Sequence, residues 1–87
     1  MAASREDIRL WLETGKANNA THVLVICDQM DWEDYPVYVM PGEDPQEIIR
    51  RDYTGSTNAL KLMECYSLTG RYSIESQMLE PRAFHYD

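Results

Sequence analysis

The 87-residue sequence is poor in cysteine, glycine and basic residues, and it lacks a long apolar run. Its longest uncharged apolar run, Val23 to Cys27, is far shorter than the roughly 20 residues that a helix needs to cross a bilayer. The first residues also lack the basic and then apolar pattern of a secretory signal. We therefore expect a soluble, cytoplasmic protein that does not associate with membranes.

Cysteine and histidine are too few and too dispersed to suggest catalysis or a cofactor. Cys27 and Cys65 show no metal-site spacing and read as reduced, buried thiols, and Asp28 should raise the pKa of its neighbour Cys27. His22 and His85 have no nucleophile at a recognisable spacing. The G-x-S-x-G, P-loop and H-E-x-x-H motifs are missing too. We predict a protein that is not an enzyme and carries no cofactor or metal.

Positive charge is the other scarcity. Eight Lys and Arg face fifteen Asp and Glu, which gives a net charge of −7 and disfavours direct binding to nucleic acid, because phosphates are bound by basic side chains. The acids are concentrated between Asp28 and Glu47, where seven of them occur without a Lys or Arg. The remainder of the chain is close to neutral.

The composition is that of one small globular domain spanning residues 1–87. Apolar residues make up 44% and charged residues 26% of the chain, as in average globular proteins. Chains of this size bury only roughly 60 to 65% of their unfolded surface. A deep internal active site is therefore not expected.

The first half of the chain predicts a helix followed by two strands. Ser4 caps a helix that begins at Arg5 and stops at Asn18-Asn19, with one apolar face that makes Trp11 a core anchor. The run Thr21 to Cys27 is typical of a central strand covered on both faces. A second strand, Tyr35 to Met40, pairs with it across a long acidic loop. Pro36 cannot donate a hydrogen bond to a neighbouring strand, so either this strand lies at an edge of the sheet or Pro36 lies just before its paired residues.

The second half predicts a helix, a strand and a last short helix. Asp44 caps a helix over Pro45 to Tyr53 that Gly55 terminates. For Leu60 to Leu68 we favour a third strand over a helix, with Leu60, Leu62, Tyr66 and Leu68 on one side and Glu64 as the exception. Ser73 caps a helix over Ile74 to Leu79, which Pro81 ends.

These elements predict a small two-layer α+β domain. Their order is α-β-β-α-β-α, with a three-stranded, mainly antiparallel sheet packed against helices. If helices cover only one face, the central strand needs a second cover, which a homodimer or another partner supplies. The residues after Pro81 either dock on the core, because Phe84 and Tyr86 alternate as in a strand, or form a recognition peptide; we favour docking.

The acidic stretch is the candidate functional site, and three interpretations compete for it. It is a solvated turn, or a divalent-cation site built on Asp28, Asp31 and Asp34, whose spacing does not fit an EF-hand, or a protein-binding surface. Aromatic residues among acids favour the last interpretation. The candidate partner-binding residues are Asp28, Asp31, Trp32, Glu33, Asp34, Tyr35, Glu43, Asp44 and Glu47.

Two groups of residues carry a family resemblance that covers most of the chain. The chain resembles small acidic proteins encoded by bacteriophages and prophages in two places. The first is the segment from Gly15 to Met40, with Ala20-Thr21-His22-Val23, Cys27-Asp28 and the run from Asp34 to Val39. The second is the later run Arg82-Ala83-Phe84-His85-Tyr86. The resemblance implies an accessory factor that binds a host protein, as anti-CRISPR inhibitors do. It assigns no role to any residue.

Together these observations predict a non-enzymatic binding protein, such as a phage-encoded inhibitor, whose acids take the place of phosphates on a basic host protein surface. A small cation-binding or regulatory domain is the first alternative. A structural homodimer is the second.

Overall fold

The computed structural model describes residues 3–53 and 59–87. In chain order the elements are α1 (Arg5–Ala17), β1 (His22–Asp28), β2 (Glu33–Val39), α2 (Pro45–Asp52), β3 (Leu60–Ser67) and α3 (Ile74–Met78). The predicted α+β class and element order are confirmed. Gly55, the predicted end of the second helix, lies outside the described residues.

The three strands form one antiparallel sheet in the order β2-β1-β3. β1 is central, as its continuous apolar run predicts, and β3 is a strand rather than a helix. β2 is an edge strand, and Pro36 lies within it opposite Val25. An edge strand accepts proline because no strand lies on its outer side, so an N–H group is not needed there.

Helices cover both faces of the sheet. One face carries a first core cluster of Ile8, Leu12, Val23, Val25, Tyr66 and Ala83, onto which α1 and α3 pack. The other face carries a second core cluster of Leu24, Ile26, Val39, Ile48 and Cys65, which α2 helps to build. The sheet therefore lies between α1 and α3 on one face and α2 on the other. The second face of β1 is covered by this chain itself rather than by a partner.

A β-bulge in β3 changes which residues share a face. Val25 pairs with Glu64 but Ile26 pairs with Leu62, so Met63 is the extra residue. Leu62 consequently packs on the second core cluster, whereas Tyr66 belongs to the first. The prediction that Leu60, Leu62, Tyr66 and Leu68 lie on one side is wrong, because strict alternation does not continue through a bulge.

Close packing of α1 on the sheet depends on Gly15. A Cβ atom at this position would lie 2.9 Å from Leu68 Cδ1 and 3.0 Å from Val23 Cγ2. Trp11, the expected core anchor, is half-buried and packs against the first core cluster. Of the helices in residues 3–53 and 59–87, none is long and apolar enough to cross a membrane.

Side-chain caps begin all three helices where the sequence predicts them. Ser4 and Asp7 form a reciprocal capping box at α1, and Ser73 Oγ accepts the Ser76 N–H at α3. At α2, Asp44 Oδ1 accepts the Gln46 N–H at 3.0 Å, and Pro45 occupies the first turn. These caps satisfy backbone donors that the helices themselves leave free.

Replacing Asp44 with alanine should lower the free energy of unfolding by about 1 kcal/mol, because the Gln46 N–H loses its acceptor. Urea denaturation of the two proteins measures the difference. Asp44→Ser is the control, since serine can also cap, and it should recover most of the loss. Equal stability of the alanine variant and the unchanged protein would show that this cap does not hold α2.

Residues 83–87 dock on the sheet, as the alternation of their aromatic residues predicts. Phe84 forms a parallel bridge with Cys65 at the outer edge of β3. Ala83 is buried in the first core cluster, and Tyr86 packs against the second. This short stretch therefore contributes to both cores.

Candidate protein-interaction site

The acidic loop is shorter than the sequence predicts. β1 continues to Asp28 and β2 already begins at Glu33, so the connecting turn consists of residues 29–32 only. Asp28 and Glu33 pair across the hairpin, as do Cys27 and Asp34. The expectation of a long solvated loop over Asp28 to Asp34 is wrong, because an edge strand tolerates charged side chains that usually indicate a loop.

Two hydrogen bonds and one unusual backbone conformation shape the turn. Asp28 Oδ1 accepts the Met30 N–H at 2.9 Å, and the Gln29 N–H donates to the Ala59 carbonyl at 2.9 Å. Trp32 has φ of 56°, a left-handed conformation that is uncommon for a bulky residue. Hydrogen bonds therefore hold the start of the turn, while Asp31 and Trp32 after it are exposed.

Large apolar side chains are exposed at the tip of this turn. Trp32 is 64% exposed and Met30 is 78% exposed. Asp31 lies between them in the sequence and is exposed too, and Glu33 follows Trp32 directly. We call Asp28, Met30, Asp31, Trp32 and Glu33 the hairpin end.

Asp34 and Tyr35 belong to the fold rather than to this exposed surface. Asp34 Oδ2 accepts the Ala3 N–H at 3.1 Å, which ties the start of the chain to β2. Tyr35 packs against the second core cluster, as does Tyr53 at the end of α2. Burial raises the pKa of both phenols.

Glu43, Asp44 and Glu47 lie at the other end of β2. This strand has seven residues, and at about 3.3 Å per residue it separates the two acidic groups by roughly 20 Å. Glu43 Oε1 accepts the Met40 N–H at 2.9 Å, and Asp44 caps α2. The structure therefore divides the candidate residues into two surfaces instead of bringing them together.

The acids near α2 share their surface with a cation. Asp52 raises the pKa of Arg51 through a hydrogen bond and its charge, and Glu47 and Glu43 add smaller electrostatic contributions. Near the hairpin, Lys61 on β3 lies opposite Cys27 in the sheet, next to Asp28. Residues 28–35 themselves include no Lys or Arg. The hairpin end thus combines acidity with exposed apolar area, and this combination makes it the stronger binding candidate.

Metal ligation and thiol chemistry find little support in residues 3–53 and 59–87. Within these ranges no three His, Cys, Asp or Glu residues lie close enough to hold a metal ion. Asp28, Asp31 and Asp34 are therefore not gathered into a ligand set. Cys27 and Cys65 are free thiols, and burial raises the pKa of Cys65 to about 12. Partial burial, then a hydrogen bond to Asp34, raises the pKa of Cys27, with Asp28 a smaller cause.

A cleft of about 440 Å³ lies where the end of α1 meets the start of α3. Lys16, Tyr72 and Glu75 are among its lining residues. Glu75 is already paired with Arg9, with a distance of 2.9 Å between Oε1 and the guanidinium nitrogen. Neither histidine nor cysteine lines the described part of the cleft, so a nucleophile with an adjacent imidazole base is not formed there.

Sequence reasoning missed two kinds of residue. Met30 increases the exposed apolar area of the hairpin end, and its position beside Trp32 in an acidic turn is a usable signal. His22, Glu64, Ser67 and Gln77 are buried polar residues, each with at least one hydrogen-bond partner ten or more residues away in the chain. Only Gln77 carries a sequence signal, because it lies on the same helical face as Ile74 and Met78.

Comparison with known proteins adds no template for the hairpin end. No family model, curated protein or solved structure matches the chain. What the hairpin end can bind therefore has to be read from its own chemistry.

Proposed function

We propose that this protein is a non-enzymatic binding factor whose hairpin end docks on a basic surface of a partner protein. The supporting observation is the exposure of Trp32 and Met30 between carboxylates at the tip of the β1–β2 hairpin. Tryptophan is a frequent energetic anchor of interfaces, and methionine adapts its shape to a partner surface. Contact of large apolar side chains with water is unfavourable, and an exposed apolar patch is therefore typical of an interaction site.

The acids determine which partner fits. Asp28, Asp31 and Glu33 surround the apolar tip with negative charge, which attracts Lys and Arg and speeds encounter with a basic surface. Protein surfaces that receive nucleic-acid backbones have this basic character. The partner that we propose is a protein of that kind, with carboxylates in the place of phosphates. In the host-inhibitor form of the proposal, occupying its surface blocks nucleic-acid binding.

The test reverses the charge of two acids at the hairpin and, separately, of two acids on the helices. Asp31→Lys with Glu33→Lys changes the hairpin end. Glu13→Lys with Glu47→Lys is the matched control, because both residues are exposed and the pair makes the same change in net charge. Asp34 is left unchanged because it holds the Ala3 N–H. Each protein is immobilised on a resin and incubated with a bacterial lysate, with and without added DNA.

The hairpin variant should lose a bound protein that the unchanged chain and the control retain, and added DNA should displace that protein. Melting curves should show that both variants are folded, since exposed charges contribute little to stability. Equal losses in both variants would contradict a hairpin site and indicate a general effect of net charge. Retention by both variants would favour the solvated-turn interpretation.

A further inference from the structure

Residues 83–87 bind the rest of the protein in the manner of an added strand. The Cys65 N–H donates to the Ala83 carbonyl at 2.8 Å, and the His85 N–H donates to the Cys65 carbonyl at 2.9 Å. This is the hydrogen-bond pattern of parallel strand pairing, formed at the outer edge of β3. We call residues 83–87 the bound segment.

Two side chains of the bound segment fill separate places in the core. Ala83 is fully buried in the first core cluster, and its N–H donates to Glu64 Oε2 at 3.2 Å. Tyr86 packs on the second core cluster, beside a shallow cavity of about 180 Å³ that Gln46, Ile49 and Arg50 also line. The segment is thus recognised by shape on both faces of the sheet.

Three side-chain donors converge on a single oxygen of the bound segment. The backbone oxygen of Asp87 lies 2.9 Å from His22 Nε2, 3.1 Å from Ser67 Oγ and 3.4 Å from Thr69 Oγ1. His22 is 4% exposed and Ser67 is 1% exposed. Because a backbone oxygen can only accept, His22 Nε2 and the Ser67 hydroxyl donate to it. The exposed Thr69 hydroxyl divides its one proton between this oxygen and Ser67 Oγ, which is 3.0 Å away. The two buried donors, His22 and Ser67, thus satisfy an oxygen that the segment brings from elsewhere in the chain.

The link between α3 and the bound segment is less firmly held. Leu79 is 86% exposed, and Pro81 and Arg82 are exposed as well. Glu80 Oε2 contacts His85 Nε2 at 2.6 Å, so the main side-chain contact of the link is with the segment itself. Pro81 also restricts the backbone of Glu80 toward extended conformations. The link therefore makes few contacts that an exchange would break.

We propose that the bound segment is exchangeable and that a second copy of this chain accepts it at the same edge of β3, giving a segment-exchanged dimer. The second copy offers the same donors, the same cavity and the same Glu64, so the contacts of the segment with the rest of the fold, apart from the Glu80 contact in the link, are re-formed between chains. Only the link changes conformation. Exchange of an identical element is a low-cost route to dimers for this reason. The proposal is independent of the hairpin function.

The experiment refolds the full chain from denaturant at micromolar and at millimolar concentration and measures the mass by light scattering after size exclusion. The mass should double in the millimolar sample. In a dimer formed from equal amounts of isotope-labelled and unlabelled chains, nuclear Overhauser contacts between chains should join the Ala83 methyl group to Tyr66. A monomer at both concentrations, or a dimer whose contacts between chains lie elsewhere, would overturn the proposal.

Changing the length of the link gives a second, independent test. A variant lacking Pro81 and Arg82 has too short a link to close on itself comfortably and should refold as a dimer at micromolar concentration, because short links favour exchange. A control with Gly-Ser-Gly inserted after Pro81 should remain monomeric. A folded monomer from the deletion variant contradicts exchange. An unfolded deletion variant contradicts it too, because exchange would have supplied the missing contacts from a second copy.

Discussion

Replacing Gln77 with alanine should lower the free energy of unfolding by about 3 kcal/mol, although α3 has only five residues. Gln77 Oε1 accepts the Ser67 N–H at 2.7 Å, and Gln77 Nε2 donates to the Ser67 carbonyl at 2.8 Å. The Gln77 amide thus supplies the two backbone hydrogen bonds that a neighbouring strand would supply at the end of β3. Alanine leaves both buried backbone groups of Ser67 without these partners and opens a cavity.

Two further variants separate the hydrogen bonds from the volume. Gln77→Met fills nearly the same space but cannot replace both bonds, so it should recover only the smaller part of the loss. Ser76→Ala is the control on the exposed side of the same helix and should change stability by no more than about 0.5 kcal/mol. Urea denaturation measures all three variants. If Gln77→Met is as stable as the unchanged protein, the bonds to Ser67 contribute little and packing explains the position.

Local chemistry explains why the secondary structure was predictable. Asp44 followed by Pro45 specifies a helix start through groups that are adjacent in the chain, and the apolar run of β1 indicates a central strand by itself. These elements can be recognised from their own residues, whereas Leu60 to Leu68 fits both a strand and a helix until its pairing with β1 is known. The sheet order follows from these elements, because β1 is covered on both faces and Pro36 suits an edge strand.

What could not be predicted depends on register and on contacts between distant residues. The bulge at Met63 is defined by which residues of β1 and β3 oppose each other, and composition does not encode that. Glu33 and Asp34 resemble a loop in the sequence, yet they pair with Asp28 and Cys27. The acids at the two ends of β2 are close in sequence and so predict one surface, although an extended strand carries them apart. Proximity along the chain does not give proximity in space there.

Replacing Trp32 with alanine should weaken binding to the basic partner about thirtyfold, which corresponds to about 2 kcal/mol. Trp32 is 64% exposed, and docking removes the apolar surface of its indole from water. Alanine keeps the Cβ atom, so the strain of the left-handed backbone is similar in both proteins. Leu79→Ala is the control, because Leu79 is exposed but distant in sequence from the hairpin, and it should leave the affinity unchanged.

Association kinetics measured across a salt series should divide the hairpin end into its two contributions. The on-rate should fall as salt rises, because the charges of Asp28, Asp31 and Glu33 are screened beyond about 8 Å at physiological ionic strength. The off-rate should change less with salt and should rise in Trp32→Ala, since contacts that exclude water govern dissociation. DNA should compete with the unchanged protein for the partner. An on-rate that is independent of salt, together with no competition by DNA, would contradict the replacement of phosphates by carboxylates and leave Trp32 and Met30 as the basis of a purely apolar interface.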